Sequence, residues 1–132
     1  MANADDLAGI ALFESLDDAQ RAELAGWFEL KHVSEGVRLV GEGASGYSFF
    51  VLLDGTATVT ADGKTLSDLG PGDFFGEIAI LGEGRRTASV TTTSPASVLV
   101  MFGTEFRRLQ QQQPEIAARI EQAMQRRLQT PS

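Results

Sequence analysis

Cysteine is absent from all 132 residues, so disulfides, thiolate metal sites and cysteine nucleophiles are excluded. Histidine occurs once, at His32, too few for a site in which several imidazoles and a carboxylate converge on a metal. No stretch approaches the roughly 18 consecutive apolar residues of a transmembrane helix. The N-terminal region also lacks a basic start followed by an apolar run. These two absences predict a cytoplasmic chain that does not insert into a membrane. Basic residues are in deficit as well, 11 against 18 acidic ones for a net charge of −7. Such a field opposes the counterion-release binding that dominates contact with nucleic acid or anionic lipid, so neither is expected as a partner. A small anion stays open, because a local cluster of donors outweighs the global field at short range. No Gly-x-Ser-x-Gly elbow is present, and Gly43-Ala44-Ser45-Gly46 reads as a loop. No catalytic residue is assigned.

What the chain does have is 42% apolar residues and 14 glycines spread along its length, the profile of a turn-rich globular protein. Its length predicts one domain over 1–132. In region 1–27, Leu7, Ile10, Ala11, Leu16, Ala19, Leu24 and Trp27 recur at roughly helical spacing, interrupted by Gly9 and Gly26. That pattern predicts two short helices, the second starting at Ser15 ahead of Asp17 and Asp18. Over 28–102 the rhythm changes to short strands punctuated by glycine, with candidates at 28–33, 37–40, 48–53, 56–60, 64–69, 88–93 and 97–102. Asp54-Gly55 and Asp62-Gly63 supply the positive φ values of tight hairpins. The expected fold is therefore mainly β, an eight-stranded antiparallel β-roll of jelly-roll type flanked by helices at both ends. Helical periodicity returns over 104–129, with Thr104 a plausible cap and Pro114 suited to the first turn of a second helix. Ile116, Ile120, Met124 and Leu128 form one apolar stripe along that helix.

The chemistry concentrates in 72–90, within Gly72-Asp73-Phe74-Phe75-Gly76-Glu77-Ile78-Ala79-Ile80-Leu81-Gly82-Glu83-Gly84-Arg85-Arg86-Thr87-Ala88-Ser89-Val90. It reads as a strand ending at a glycine, a short helix over 77–81, a glycine-flanked turn and a new strand opened by two arginines. The start of the helix offers free backbone N–H groups that, with the helix dipole, suit an anion. Gly76 lets a ligand approach the backbone. Arg86 can return to the same place as a planar, bidentate clamp on phosphate oxygens. A carboxylate beside a phosphate is repulsive alone, so Glu77 fits better as an acceptor for ligand hydroxyls with Arg86 compensating its charge.

Phe75-Gly76-Glu77-Ile78-Ala79-Ile80-Leu81, the turn 82–85 and Arg86-Thr87-Ala88 together resemble the phosphate-binding cassette of the cyclic nucleotide-binding domain family. The Arg-Arg-Thr-Ala-Ser-Val wording resembles the cytoplasmic sensor of cyclic-nucleotide-gated and hyperpolarisation-activated channels. Many family members have proline where Arg85 stands, a departure that leaves the site in place. The resemblance implies that Glu77 binds the ribose 2′-hydroxyl, that Arg86 binds the exocyclic phosphate oxygens, and that the amides of Gly76, Ala79 and Thr87 add donors. It also implies a cAMP or cGMP ligand, with cAMP ahead. Thr87 would be able to bond the 2-amino group of a syn guanine, which keeps cGMP in play.

The plainer readings are a helix between two strands with an incidental Glu77–Arg86 surface pair, and a solvated strand start for Arg85. His32 reads as a surface or half-buried strand residue; Tyr47, Phe49, Phe50, Phe74, Phe75 and Phe102 read as core; Trp27 reads as packing a helix onto the roll. The expected function is a cyclic nucleotide sensor that signals by movement of its C-terminal helix. The alternatives are a β-roll interaction module without nucleotide and, more distantly, a cupin-like metal enzyme. Only 129–132 remain after the last helix, so output is expected from an effector protein or a missing output domain. A homodimer through the C-terminal helix is compatible with the apolar stripe.

Overall fold

The computed structural model describes residues 2–40, 48–76 and 88–129. It opens with a one-turn helix α1 (Ala4–Leu7), a 3₁₀ turn (Ala11–Phe13) and helix α2 (Asp18–Ala25). The strands follow as β1 (Glu29–Val33), β2 (Arg38–Val40), β3 (Ser48–Asp54), β4 (Ala57–Ala61), β5 (Lys64–Leu69), β6 (Phe74–Phe75), β7 (Ser89–Thr92) and β8 (Ala96–Phe102). Helices α3 (Gly103–Gln112) and α4 (Pro114–Gln129) close the chain. The expected fold class holds: eight antiparallel strands in two four-stranded sheets, ordered β1-β8-β3-β6 and β2-β7-β4-β5, with helices at both ends.

Local chemistry sets the element ends, not always where the sequence pattern put them. The N-cap of helix α2 lies two residues beyond Ser15, because Asp17 and Gln20 form a capping box: Gln20 N donates to Asp17 Oδ1 at 2.8 Å and Asp17 N donates to Gln20 Oε1 at 3.0 Å. The region before it holds a short helix and a 3₁₀ turn rather than one further helix. Thr104 is not a cap; α3 begins at Gly103 without any side-chain cap bond. Pro114 opens α4 as its fixed φ predicts. Asp62 and Gly63 both adopt positive φ, at 52° and 75°, and turn β4 tightly back into β5. Gly55 has a φ of 86°, and a Cβ there would lie 2.5 Å from the Pro95 carbonyl oxygen. Only glycine fits that crossing.

The first sheet is buried on both faces, which is why β3 and β8 read as continuous apolar runs. Phe49, Val51, Leu99 and Met101 face the helices, while Phe50, Leu52, Val98 and Val100 face the roll interior. On the helical side, Ile116, Ile120 and Met124 of α4 are buried in one cluster with Leu7, Leu12, Phe13 and Leu16. Arg119 Nη1 donates to the Ser15 carbonyl at 2.6 Å and ties α4 to the turn before α2. Of the aromatics expected in the core, Phe49, Phe50 and Phe75 are buried, Phe74 is half-buried, and Tyr47 lies outside the described residues. Phe102 is the exception. It is 49% exposed because β8 runs past the core there before turning into α3. Trp27 is half-buried and packs against the helical side of the core, as expected.

Candidate functional site

The chain approaches the cassette through a tightly held turn. Gly72 N donates to the Leu52 carbonyl at 2.7 Å, and Leu52 N donates to the Asp73 carbonyl at 2.8 Å. The Asp73 carboxylate accepts from Gly70 N at 2.8 Å. With its turn fixed on β3 in this way, β6 pairs Phe75 with Phe50 and Phe74 with Val51. The Phe50 and Phe75 rings stack with centroids 4.9 Å apart and planes 9° from parallel. Gly76 follows, buried and with a φ of 78°. That left-handed conformation is open to glycine at little cost.

Glu77, Ala79, Arg85, Arg86 and Thr87, with the expected short helix 77–81, lie outside the described residues. Their flanks are well defined. The segment connects β6, at the edge of the first sheet, to β7, an inner strand of the second, paired with β2 on one side and β4 on the other. Both flanks touch the roll interior, through Phe75 before the segment and Val90 after it.

That interior is made of apolar and mostly small side chains, Phe50, Leu52, Ala57, Phe75, Val90, Ala96, Val98 and Val100. Among the described residues the buried polar side chains are Thr92 and Ser97, and no charged one is buried. Thr92 is fully used: its Oγ1 accepts from Val37 N at 2.8 Å and donates to the Ser34 carbonyl at 2.7 Å, pinning the turn between β1 and β2. Lys31, Arg38, Lys64, Arg107, Arg108 and Arg126 are exposed. Arg21 pairs with Asp18, and Arg119 with Glu115. None of these eight cations is buried in the roll. Arg85 and Arg86 are thus the cations that sequence adjacency ties most closely to Val90 and the interior.

The comparisons agree with this architecture. A family model, Cyclic nucleotide-binding domain, matches residues 30–113. The chain belongs to the cyclic nucleotide-binding domain family. A cAMP-dependent protein kinase regulatory subunit of Colletotrichum orbiculare is 33% identical over 107 residues, covering 80% of this chain and 27% of the relative. A cyclic nucleotide-gated potassium channel of Rhizobium etli is 30% identical over 122 residues, covering 92% of this chain and 34% of that protein. The chain thus spans about a quarter to a third of these relatives. Among solved structures, cAMP-bound PfPKA-R (141–441) superposes with a TM-score of 0.80 at 28% identity over 94% of this chain and 42% of that one. The N-terminal domain of a transcriptional regulator from Streptomyces coelicolor A3(2) gives 0.79 at 29% identity, covering 94% of this chain and 92% of its own.

Two features of this domain escaped the sequence reading. One is the Gly70–Asp73 turn that sets β6, for which Gly-Pro-Gly-Asp was an available signal. The other is a polar chain across the outer face of the first sheet, where Asp54, Ser97 and His32 meet from three strands. No sequence spacing announces it.

Proposed function

We propose that this domain binds cAMP and passes its occupancy on as a regulatory signal, without catalysing a reaction itself. The observation that carries the reading is the Phe75-Gly76-Glu77 to Arg86-Thr87-Ala88 cassette between β6 and β7, introduced by a buried Gly76 in the left-handed conformation. Arg86 clamps the cyclic phosphate, Glu77 takes the ribose 2′-hydroxyl, and the amides of Gly76, Ala79 and Thr87 complete the donor set. The apolar interior that both flanks of the cassette reach, through Phe75 and Val90, would exclude water and strengthen each charged contact. Support for cAMP over other anions comes from the relatives, named as cAMP-dependent kinase regulatory subunits and a cyclic nucleotide-gated channel. cGMP is the second ligand, through Thr87.

Output passes through α4 to a further domain or an effector protein. This helix is packed against the 3₁₀ turn and tied by Arg119 to Ser15, so a change at the roll that shifts the N-terminal helices shifts α4 with them. The direct test is calorimetric titration with cAMP and cGMP. Saturable one-to-one binding with cAMP the tighter ligand is the expected result, and no binding of either nucleotide overturns the reading.

A further inference from the structure

A pocket of about 390 Å³ opens on the outer face of the first sheet, the side opposite the roll interior. Ile10, Leu30 and Leu53 give it an apolar lining. Asp6, His32, Asp54 and Ser97 supply its side-chain polar groups, and neither lysine nor arginine lines it. The polar groups are linked by the fold, with Ser97 buried, Asp6 half-buried, and His32 and Asp54 exposed. Ser97 N donates to Asp54 Oδ1 at 3.0 Å, and Ser97 Oγ shares a 2.8 Å hydrogen bond with His32 Nδ1. Asp6 is held by Asn3, whose N–H donates to Asp6 Oδ2 at 2.9 Å. Each aspartate therefore has one carboxylate oxygen held by the backbone and a second, Asp54 Oδ2 and Asp6 Oδ1, without a protein donor among the described residues.

We propose that this pocket is a second ligand site, selective for a small organic cation that carries an amidinium, guanidinium or primary ammonium head on an apolar body. The argument is one of complementarity. Two carboxylates on a chain of net charge −7 reject anions, so the pocket does not suit a second cyclic nucleotide. Their positions on two separate elements, α1 and the end of β3, suit a head group with several N–H donors better than a point contact. The apolar lining gives the body of such a molecule a surface to leave water for. Metal is a poorer fit, since no group of three or more His, Asp or Glu with ligating geometry occurs among the described residues. The pocket also borders the nucleotide machinery: Pro71 and Gly72 line it and belong to the turn that fixes β6.

The test uses benzamidine as probe and benzamide, its neutral counterpart, as control, titrated into the ¹⁵N-labelled full chain with and without saturating cAMP. Expected are saturable shifts centred on the amides of Gly9, Gly72 and Ser97 with benzamidine alone, at an affinity unchanged by cAMP. Asp54→Asn retains an oxygen acceptor for Ser97 N, and Asp6→Asn retains one for Asn3 N, so both variants should fold. Each should weaken benzamidine by about tenfold, the factor that corresponds to 1.4 kcal/mol. Equal binding of benzamide, indifference to both substitutions, the absence of saturable shifts, or competitive displacement by cAMP overturns the proposal. Because the titration without cAMP stands alone, a chain that failed to bind cAMP would still report on this pocket.

Discussion

The two faces of the first sheet are packed to different ends. Toward the helices, Phe49, Leu99 and Met101 meet Phe13, Leu24, Phe106, Leu109, Ile120 and Met124, all large and almost completely buried. Toward the second sheet, the buried set contains two alanines and three valines, and only Leu52 among the largest fully buried side chains. The large side chains on the helical side form the main core that holds the domain together. The roll side is lined mostly by smaller groups, and the cassette sequence connects β6 of one sheet to β7 of the other. On the proposed reading, the packing that stabilises the domain and the recognition of nucleotide would lie on opposite faces of one sheet. Substitutions on one face should leave the function of the other largely intact.

The largest expected departure is removal of α4. The stripe of Ile116, Ile120 and Met124 is already committed to Leu7, Leu12, Phe13 and Leu16, so these side chains are not free to close over a purine in this arrangement. Burial of three such side chains contributes roughly 5–9 kcal/mol at about 1.5–3 kcal/mol each. That is comparable with the whole stability of a typical domain. A chain ending before Pro114 should accordingly lose its cooperative unfolding transition, not merely bind more weakly. A truncated chain with an undiminished denaturation midpoint would break the comparison.

Arg86→Ala should show the complementary pattern. Losing a bidentate contact to a desolvated phosphate costs about 2–5 kcal/mol of binding, which is about 30-fold to several thousand-fold in Kd. Thermal unfolding without nucleotide should be unchanged. Arg38→Ala, on an exposed strand residue, is the matched control and should leave affinity alone. If titration ranked Arg85→Ala above Arg86→Ala, the assignment of the phosphate ligand would be wrong.

These contrasts follow how much of the molecule the sequence disclosed. Strand periodicity and the Asp62-Gly63 turn announced the roll, because a two-residue positive-φ turn is a local property. The start of α2 was misplaced at Ser15, since choosing between Ser15 and Asp17 depends on which side chain reaches Gln20 N. The Asp54–Ser97–His32 chain was invisible because its members come from three strands, 43 and 65 residues apart in sequence for the two bonds. The stripe on α4 was recognised, but its partner was not. Periodicity shows that a face is buried and is silent on what buries it.

Asp17→Ala makes a smaller change confined to the helical side. It removes an N-cap acceptor from α2 and should cost about 1 kcal/mol, within a range of roughly 0.5–2. Equilibrium unfolding in urea would measure it as a lower midpoint with unchanged slope. Nucleotide affinity should not move, and a loss of affinity matching the loss of stability would mean that the two faces are coupled more tightly than their packing suggests.

The finest test separates ligands rather than faces. Thr87 stands directly after Arg86 in the cassette, and its hydroxyl can serve either the phosphate or the base. cAMP and cGMP share the phosphate and the ribose, so a hydroxyl used there contributes equally to both. Only guanine carries a 2-amino group, which in the syn orientation would donate to Thr87. Replacing Thr87 with alanine should then weaken cGMP by about 0.5–1.5 kcal/mol, the net worth of one hydrogen bond, and leave cAMP nearly unchanged. In dissociation constants this is roughly a two- to twelve-fold shift for one ligand. Paired titrations of the same protein preparation resolve that difference. Equal losses for the two nucleotides would assign Thr87 to the phosphate, and base selection would have to come from a residue outside the cassette.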